Sequence, residues 1–102
     1  MEQKIIDHWI NGSFKSSTSD RFGDVFNPAT GEVISKLPMG NKKDLEEAVI
    51  AAEGAYASWS KTSITKRAQV MFKFKELLES HREELTELIT LEHGKVLIDA
   101  AG

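Results

Sequence analysis

Three histidines, His8, His81 and His93, are the side chains of this 102-residue sequence best suited by type to metal ligation or proton transfer. Helical metal pairs place their ligands three to five positions apart, and no two of these histidines are that close. His81 falls at a junction between helical segments. His93 falls at a helix C-terminus, where a cationic or polar side chain suits the helix dipole. Glu83, Glu84 and Glu87 could be drawn as an acid–base pair. Their spacing, however, turns two of them away from Leu85 and Ile89, which is the pattern of a solvated helix face. Lys66, Arg67, Lys73 and Lys75 interleave with Phe72 and Phe74, as in surfaces that stack bases and bind phosphates. At about 100° per residue, Phe74 instead joins an apolar stripe while the lysines scatter. A net charge of −3 also opposes phosphate binding and docking to anionic membranes. No cysteine is present, so this chain has no thiolate nucleophile, disulfide or thiolate metal site. The seven glycines are scattered and build neither GxGxxG nor a Walker loop. The expectation is that the chain contributes no catalytic, cofactor-binding or metal-ligating residue.

The elements around these residues follow from periodicity and turn chemistry. Ile5 to Ile10, then Asn11-Gly12, then Ser13 to Ser16 reads as a β-hairpin, because Asn and Gly tolerate the positive φ of a two-residue turn. Ser17 to Asp20 reads as a loop. Val25-Phe26 and a strand through Val33, Ile34 and Leu37 form a second hairpin around Asn27-Pro28-Ala29-Thr30-Gly31, ending at Pro38 and Gly40. From Asn41 the period becomes helical, with Asn41 and Asp44 as a capping pair. Leu45, Ala48, Val49, Ala52, Tyr56 and Trp59 give the first helix one apolar stripe. A second helix starts near Ser63 or Thr65, with Val70, Met71, Phe74, Leu77 and Leu78 inward. Ser80-His81-Arg82-Glu83 reads as a capping box for a third helix, whose inner face is Leu85, Leu88 and Ile89. Gly94 occupies the position of a left-handed C-terminal cap. Val96 to Gly102 read as the start of a fourth helix, cut by the chain end. The fold class is thus α+β, two N-terminal β-hairpins followed by three to four helices, with residues 1–40 β-rich and 41–102 helical.

Three positions depart from this pattern. Phe72 lies outside the stripe of its helix, making that helix apolar on more than one side. Glu92 falls on the apolar face of the third helix, so an ion pair or backbone hydrogen bonds should satisfy its carboxylate. Gly54, inside a helix, leaves room for a neighbour to approach closely. Phe72 and Glu92 read as a surface that packs against more protein, hence an incomplete domain. With 40% hydrophobic and 28% charged residues, no signal-peptide core and no membrane-length apolar run, a soluble cytoplasmic protein is expected.

Five segments then carry a family resemblance. Ile10-Asn11-Gly12-Ser13-Phe14 resembles the first hairpin of the aldehyde dehydrogenase superfamily, and Asn27-Pro28-Ala29-Thr30-Gly31-Glu32-Val33-Ile34 is similar to its N-P-A-T-G-E segment. Ala55-Tyr56-Ala57-Ser58-Trp59, Arg67-Ala68 and Leu91-Glu92-His93-Gly94-Lys95 follow in the family's order. Leu-Glu-His-Gly-Lys with Leu97 to Gly102 looks most like the CoA-acylating methylmalonate-semialdehyde dehydrogenases, although Val96 stands where Thr is expected. The resemblance implies part of an α/β NAD-binding domain in a homo-oligomeric oxidoreductase. It implies NAD as cofactor and CoA as co-substrate of the full-length parent, neither binding this chain alone. The cysteine nucleophile, the oxyanion-site Asn, the cofactor-binding Lys and the Gly-rich turn would all lie beyond Gly102. The expected partner is the remainder of the subunit. A freestanding, non-enzymatic interaction module of the same descent is the alternative.

Overall fold

The structure, a computed structural model, describes residues 4–102. They fall into two compact units: the residues up to Phe26 with Glu32–Lys61, and Asn27–Gly31 with Thr62–Gly102.

The first unit contains β1 (Lys4–Ile5), β2 (His8–Ile10), β3 (Ser13–Lys15), β4 (Phe22–Phe26), β5 (Val33–Pro38) and helix α1 (Lys42–Trp59). The expected first strand, Ile5 to Ile10, is divided between two sheets. Lys4 and Ile5 pair in parallel with Ser35 and Lys36 of β5, and the Ile6 amide donates to the Lys36 carbonyl at 2.9 Å. After Ile6 the chain leaves that sheet, and β2 satisfies its backbone groups against its own return strand β3. The turn between them has Asn11 at φ 54° and Gly12 at φ 77°, the paired positive values of a type I′ hairpin. Trp9 and Phe14 face each other across it, edge to face at 4.9 Å between centroids. The second hairpin forms as expected, antiparallel from Phe22↔Pro38 to Phe26↔Val33 with an irregularity at Val25/Phe26. It makes β5 the centre of the order β1-β5-β4. Lys36 and Asp24 are cross-strand partners in this ladder and form an ion pair.

α1 begins with a complete capping box. The Asn41 side chain accepts from the Asp44 amide at 2.9 Å, and the Asp44 carboxylate accepts from the Asn41 amide at 3.1 Å. Two of the donors that a helix start leaves unpaired are thereby satisfied.

The second unit holds α2 (Ile64–Ser80), α3 (Arg82–His93) and α4 (Leu97–Ala100). Ser63 caps α2, its hydroxyl accepting from the Lys66 amide at 3.3 Å. The capping box expected at Ser80 does not form. Ser80 is still the last residue of α2, and its hydroxyl donates back to the Leu77 carbonyl at 2.9 Å. A residue in helical backbone cannot adopt the extended N-cap conformation, so α3 starts after His81 without a side-chain cap. Gly94 ends α3 at φ 86°, as expected. α4 is one short turn whose end is tied to α3: an Arg82 guanidinium nitrogen donates to the Ala101 carbonyl at 2.7 Å.

Among the described residues Ala100 is the one buried hydrophobic side chain. Leu45, Val49, Tyr56 and Trp59 of α1, the expected inner face of α2, and Leu85, Leu88 and Ile89 of α3 are all exposed, as is Phe72 at 71%. The apolar stripes exist; what is missing is their cover. Glu92, expected to be buried and paired, is exposed, and its carboxylate has no ion-pair or hydrogen-bond partner among the described residues, because the apolar face it sits on is itself open. A Cβ built on Gly54 would meet nothing within 4 Å, so the neighbour expected there is absent from these residues. Among them no helix is long and apolar enough to cross a membrane.

Candidate functional site

The densest polar cluster surrounds Asp44, a buried side chain at the third position of α1. One of its oxygens, Oδ2, gathers three groups. The Ser17 hydroxyl donates to it at 2.5 Å, the Asn41 amide donates at 3.1 Å, and His8 Nε2 lies 3.3 Å away. Asn41 also donates from Nδ2 to the Thr18 hydroxyl at 2.9 Å. Helix α1 positions the acceptor, β2 delivers His8, and the loop before β4 delivers Ser17. The Ser17 hydroxyl is the main reason the Asp44 carboxyl sits below its ordinary value; burial pushes the other way, while the Asn41 amide and His8 add to the lowering.

Serine, histidine and aspartate together invite comparison with a nucleophilic triad. In a triad the imidazole stands between hydroxyl and carboxylate, so that it can take the hydroxyl proton. Here the carboxylate is the hub, and both the hydroxyl and the imidazole point at the same oxygen. Ser17 has no base other than Asp44, and its proton is committed to a carboxylate too weakly basic to activate it. The arrangement fastens a strand and a loop to a helix N-terminus. Beside it an open cleft runs along Trp9, Ile10, Gly40, Leu45 and Ala48, and its polar lining is His8, Asn41 and Asp44, the members of this same cluster.

Sequence reasoning identified Asn41 and Asp44 as a cap but missed Ser17 and His8 as their partners. The contacts join residues 27 and 36 positions apart, and no local spacing encodes them. His81 and His93 are not brought together with His8: His81 Nδ1 lies 2.9 Å from the Leu77 carbonyl, and His93 is exposed at the end of α3. Glu83, Glu84 and Glu87 are exposed along α3. Among the described residues no three His, Asp or Glu side chains converge into a metal-sized group.

A second construction joins two of the motif segments inside the helical unit. Asn27 folds its own turn: Oδ1 accepts from the Ala29 amide at 3.0 Å, and its carbonyl accepts from the Gly31 amide at 2.7 Å. Pro28, at the tip, lies against Gly94, where an added Cβ would stand 3.0 Å from the proline Cγ. The glycine is therefore required twice, by its backbone angle and by the ring beside it.

Residues 14–102 match the aldehyde dehydrogenase family. A malonate-semialdehyde dehydrogenase of Bacillus thuringiensis is 46% identical over 99 residues, which are 97% of this chain and 20% of that protein. The crystal structure of a methylmalonate-semialdehyde dehydrogenase from Oceanimonas doudoroffii superposes with a TM-score of 0.93 at 46% identity, covering 98% of this chain and 20% of that one. A Sinorhizobium meliloti structure complexed with NAD gives a TM-score of 0.96 at 39% identity, covering 99% and 21%. The chain spans about a fifth of the length of the relatives it matches. With the ordered motifs, the hairpin and the paired Pro28–Gly94 turn on the same scaffold, the chain belongs to the aldehyde dehydrogenase family.

Proposed function

We propose that this chain is the N-terminal segment of a cytoplasmic, NAD-dependent, CoA-acylating malonate- or methylmalonate-semialdehyde dehydrogenase, a homo-oligomer in its complete form. Residues 1–40 supply strands and residues 41–102 supply helices to the NAD-binding domain. The observation that carries this reading is 46% identity over 97% of the chain to a malonate-semialdehyde dehydrogenase five times as long. The uncovered apolar faces of α1, α2 and α3 support it, since an isolated soluble domain seldom leaves the apolar stripe of each of its helices open to water.

In that enzyme a cysteine thiolate adds to the aldehyde, hydride passes to NAD, and CoA takes the acyl group from the resulting thioester. Thiolates suit such a sequence because they are nucleophilic at low basicity. This cysteine-free chain performs none of those steps. Its role is to complete the domain that holds the cofactor.

The test is reconstitution. The chain alone, given NAD, CoA and malonate or methylmalonate semialdehyde, forms no NADH. Produced together with the remaining four fifths of the Bacillus thuringiensis relative, it restores NADH formation that depends on CoA. Turnover by the chain alone, or no recovery on reconstitution, overturns the proposal.

A further inference from the structure

The most informative uncovered surface is on α2. No residue of that helix is buried. At about 100° per residue, Val70, Met71, Phe74, Leu77 and Leu78 occupy one continuous arc, and all five are exposed. Thr65, Gln69 and Glu76 lie on the opposite side together with exposed Phe72, and Lys73, about 40° from Leu77 at the edge of the arc, forms an exposed ion pair with Glu76 at 3.4 Å. One charge stands in the middle of the apolar arc. Arg67 falls in angle between Phe74 and Leu78. Its side chain is exposed and has no carboxylate or hydrogen-bond acceptor among the described residues; its backbone amide alone is engaged, donating to the Ser63 carbonyl at 3.0 Å.

A helix whose apolar face is open calls for an apolar cover. Covering this face also encloses a guanidinium, which is strongly unfavourable unless the cover brings an anion to it. Arginine is suited to that place because its fork pairs two-pronged with a carboxylate and its stem packs with apolar neighbours. The relatives that share this segment are about five times as long, so the protein that would supply the cover is the rest of an aldehyde dehydrogenase subunit. We infer that the Val70–Phe74–Leu77–Leu78 face of α2 docks on the remainder of the subunit and that Arg67 pairs there with a carboxylate buried by the docking. This inference rests on the proposed function and adds to it a face and a charge.

The experiment uses the complete chain, tagged, with the remaining four fifths of the Bacillus thuringiensis relative, and reads both co-purification and NADH formation. Arg67→Glu is expected to lower co-purification at least tenfold and Arg67→Met by a smaller factor. Thr65→Glu, on the opposite side, is expected to leave it within twofold. Replacing the pairing acid on the partner by Lys or Arg, found by substituting its acidic residues one at a time, restores binding to Arg67→Glu. Because Arg67 is exposed in the chain by itself, far-UV circular dichroism of the isolated Arg67→Glu chain matches the unsubstituted one, separating lost docking from lost folding. If Arg67→Glu co-purifies as well as Thr65→Glu while the unsubstituted pair is active, the α2 docking is overturned and the proposed function stands. If the unsubstituted pair neither associates nor turns over, both are overturned. Association of the chain with itself through Phe74, in place of the partner, likewise overturns it.

Discussion

Replacing Gly94 by Ala separates two demands that the fold makes on one residue. The backbone there is at φ 86°, and an L-residue in the left-handed region costs about 1–2 kcal/mol. The reduced entropy of the unfolded chain returns roughly 0.4–1 kcal/mol of that. The new Cβ would also stand 3.0 Å from Pro28 Cγ and 3.7 Å from Pro28 Cβ. A proline ring cannot rotate away, so relief requires the whole Asn27–Gly31 turn to shift, an overpacking cost of about 1–3 kcal/mol. Pro28→Ala removes Cγ and leaves the longer contact. In that background Gly94→Ala should cost only the backbone part. The assay is native-state hydrogen exchange, on the reconstituted complex, of the amides around the α3 C-terminus, including the Gly94 amide that donates to the Thr90 carbonyl at 2.9 Å. About 1.4 kcal/mol corresponds to tenfold faster exchange through local opening. Gly94→Ala should therefore speed exchange by about five- to a thousandfold, and Pro28→Ala should recover the overpacking part, about five- to a hundredfold. Additive effects of the two substitutions, within about 0.5 kcal/mol, would refute the packing of the turn against the glycine.

Three further outcomes follow from the geometry. Asn41→Ala removes the acceptor for the Asp44 amide and should destabilise the start of α1 by about 1 kcal/mol, seen as faster exchange confined to its first turn. Because the folded-state value of Asp44 is lowered, its contribution to stability is present above the unfolded carboxylate value and is lost as pH falls through the folded one. Ser17→Ala, which removes the largest cause of the lowering, should move the carboxyl titration of Asp44 upward in an NMR pH series, and an unmoved midpoint would show that the hydroxyl does not hold it. Finally, the chain alone, with Ala100 as its one buried hydrophobic residue among those described, should bind an apolar dye such as ANS while keeping helical circular dichroism. Cooperative unfolding without dye binding would contradict the open faces.

Local chemistry makes much of the fold legible in the sequence. Asn11-Gly12 specifies its turn because both residues accept positive φ, Ser63 caps a helix because its hydroxyl reaches the Lys66 amide, and Gly94 ends one because only glycine adopts that angle without strain. The failures share a cause. Whether Ser80 caps α3 depends on whether α2 has already ended, and the pattern of residues 80–83 is silent on that. The division of the first strand between β5 and β3 is a competition between a distant partner and a near one, decided by tertiary packing. Ser17 and His8 reach Asp44 across long separations for the same reason.

Helical periodicity reports which side of a helix is to be buried, and it does so whether or not the burying partner is within reach. Val70, Phe74, Leu77 and Leu78 share a face that lies open, and Glu92 looked as if it required a partner although that face leaves it in water. Neither observation is an error of period. An apolar stripe is a statement about the complete assembly, and where the described residues leave it uncovered, the mismatch itself locates the contact. Arg67 then states what the contact must contain. Apolar residues alone would accept any apolar cover, but a guanidinium in their midst accepts only a cover that brings a negative charge to it.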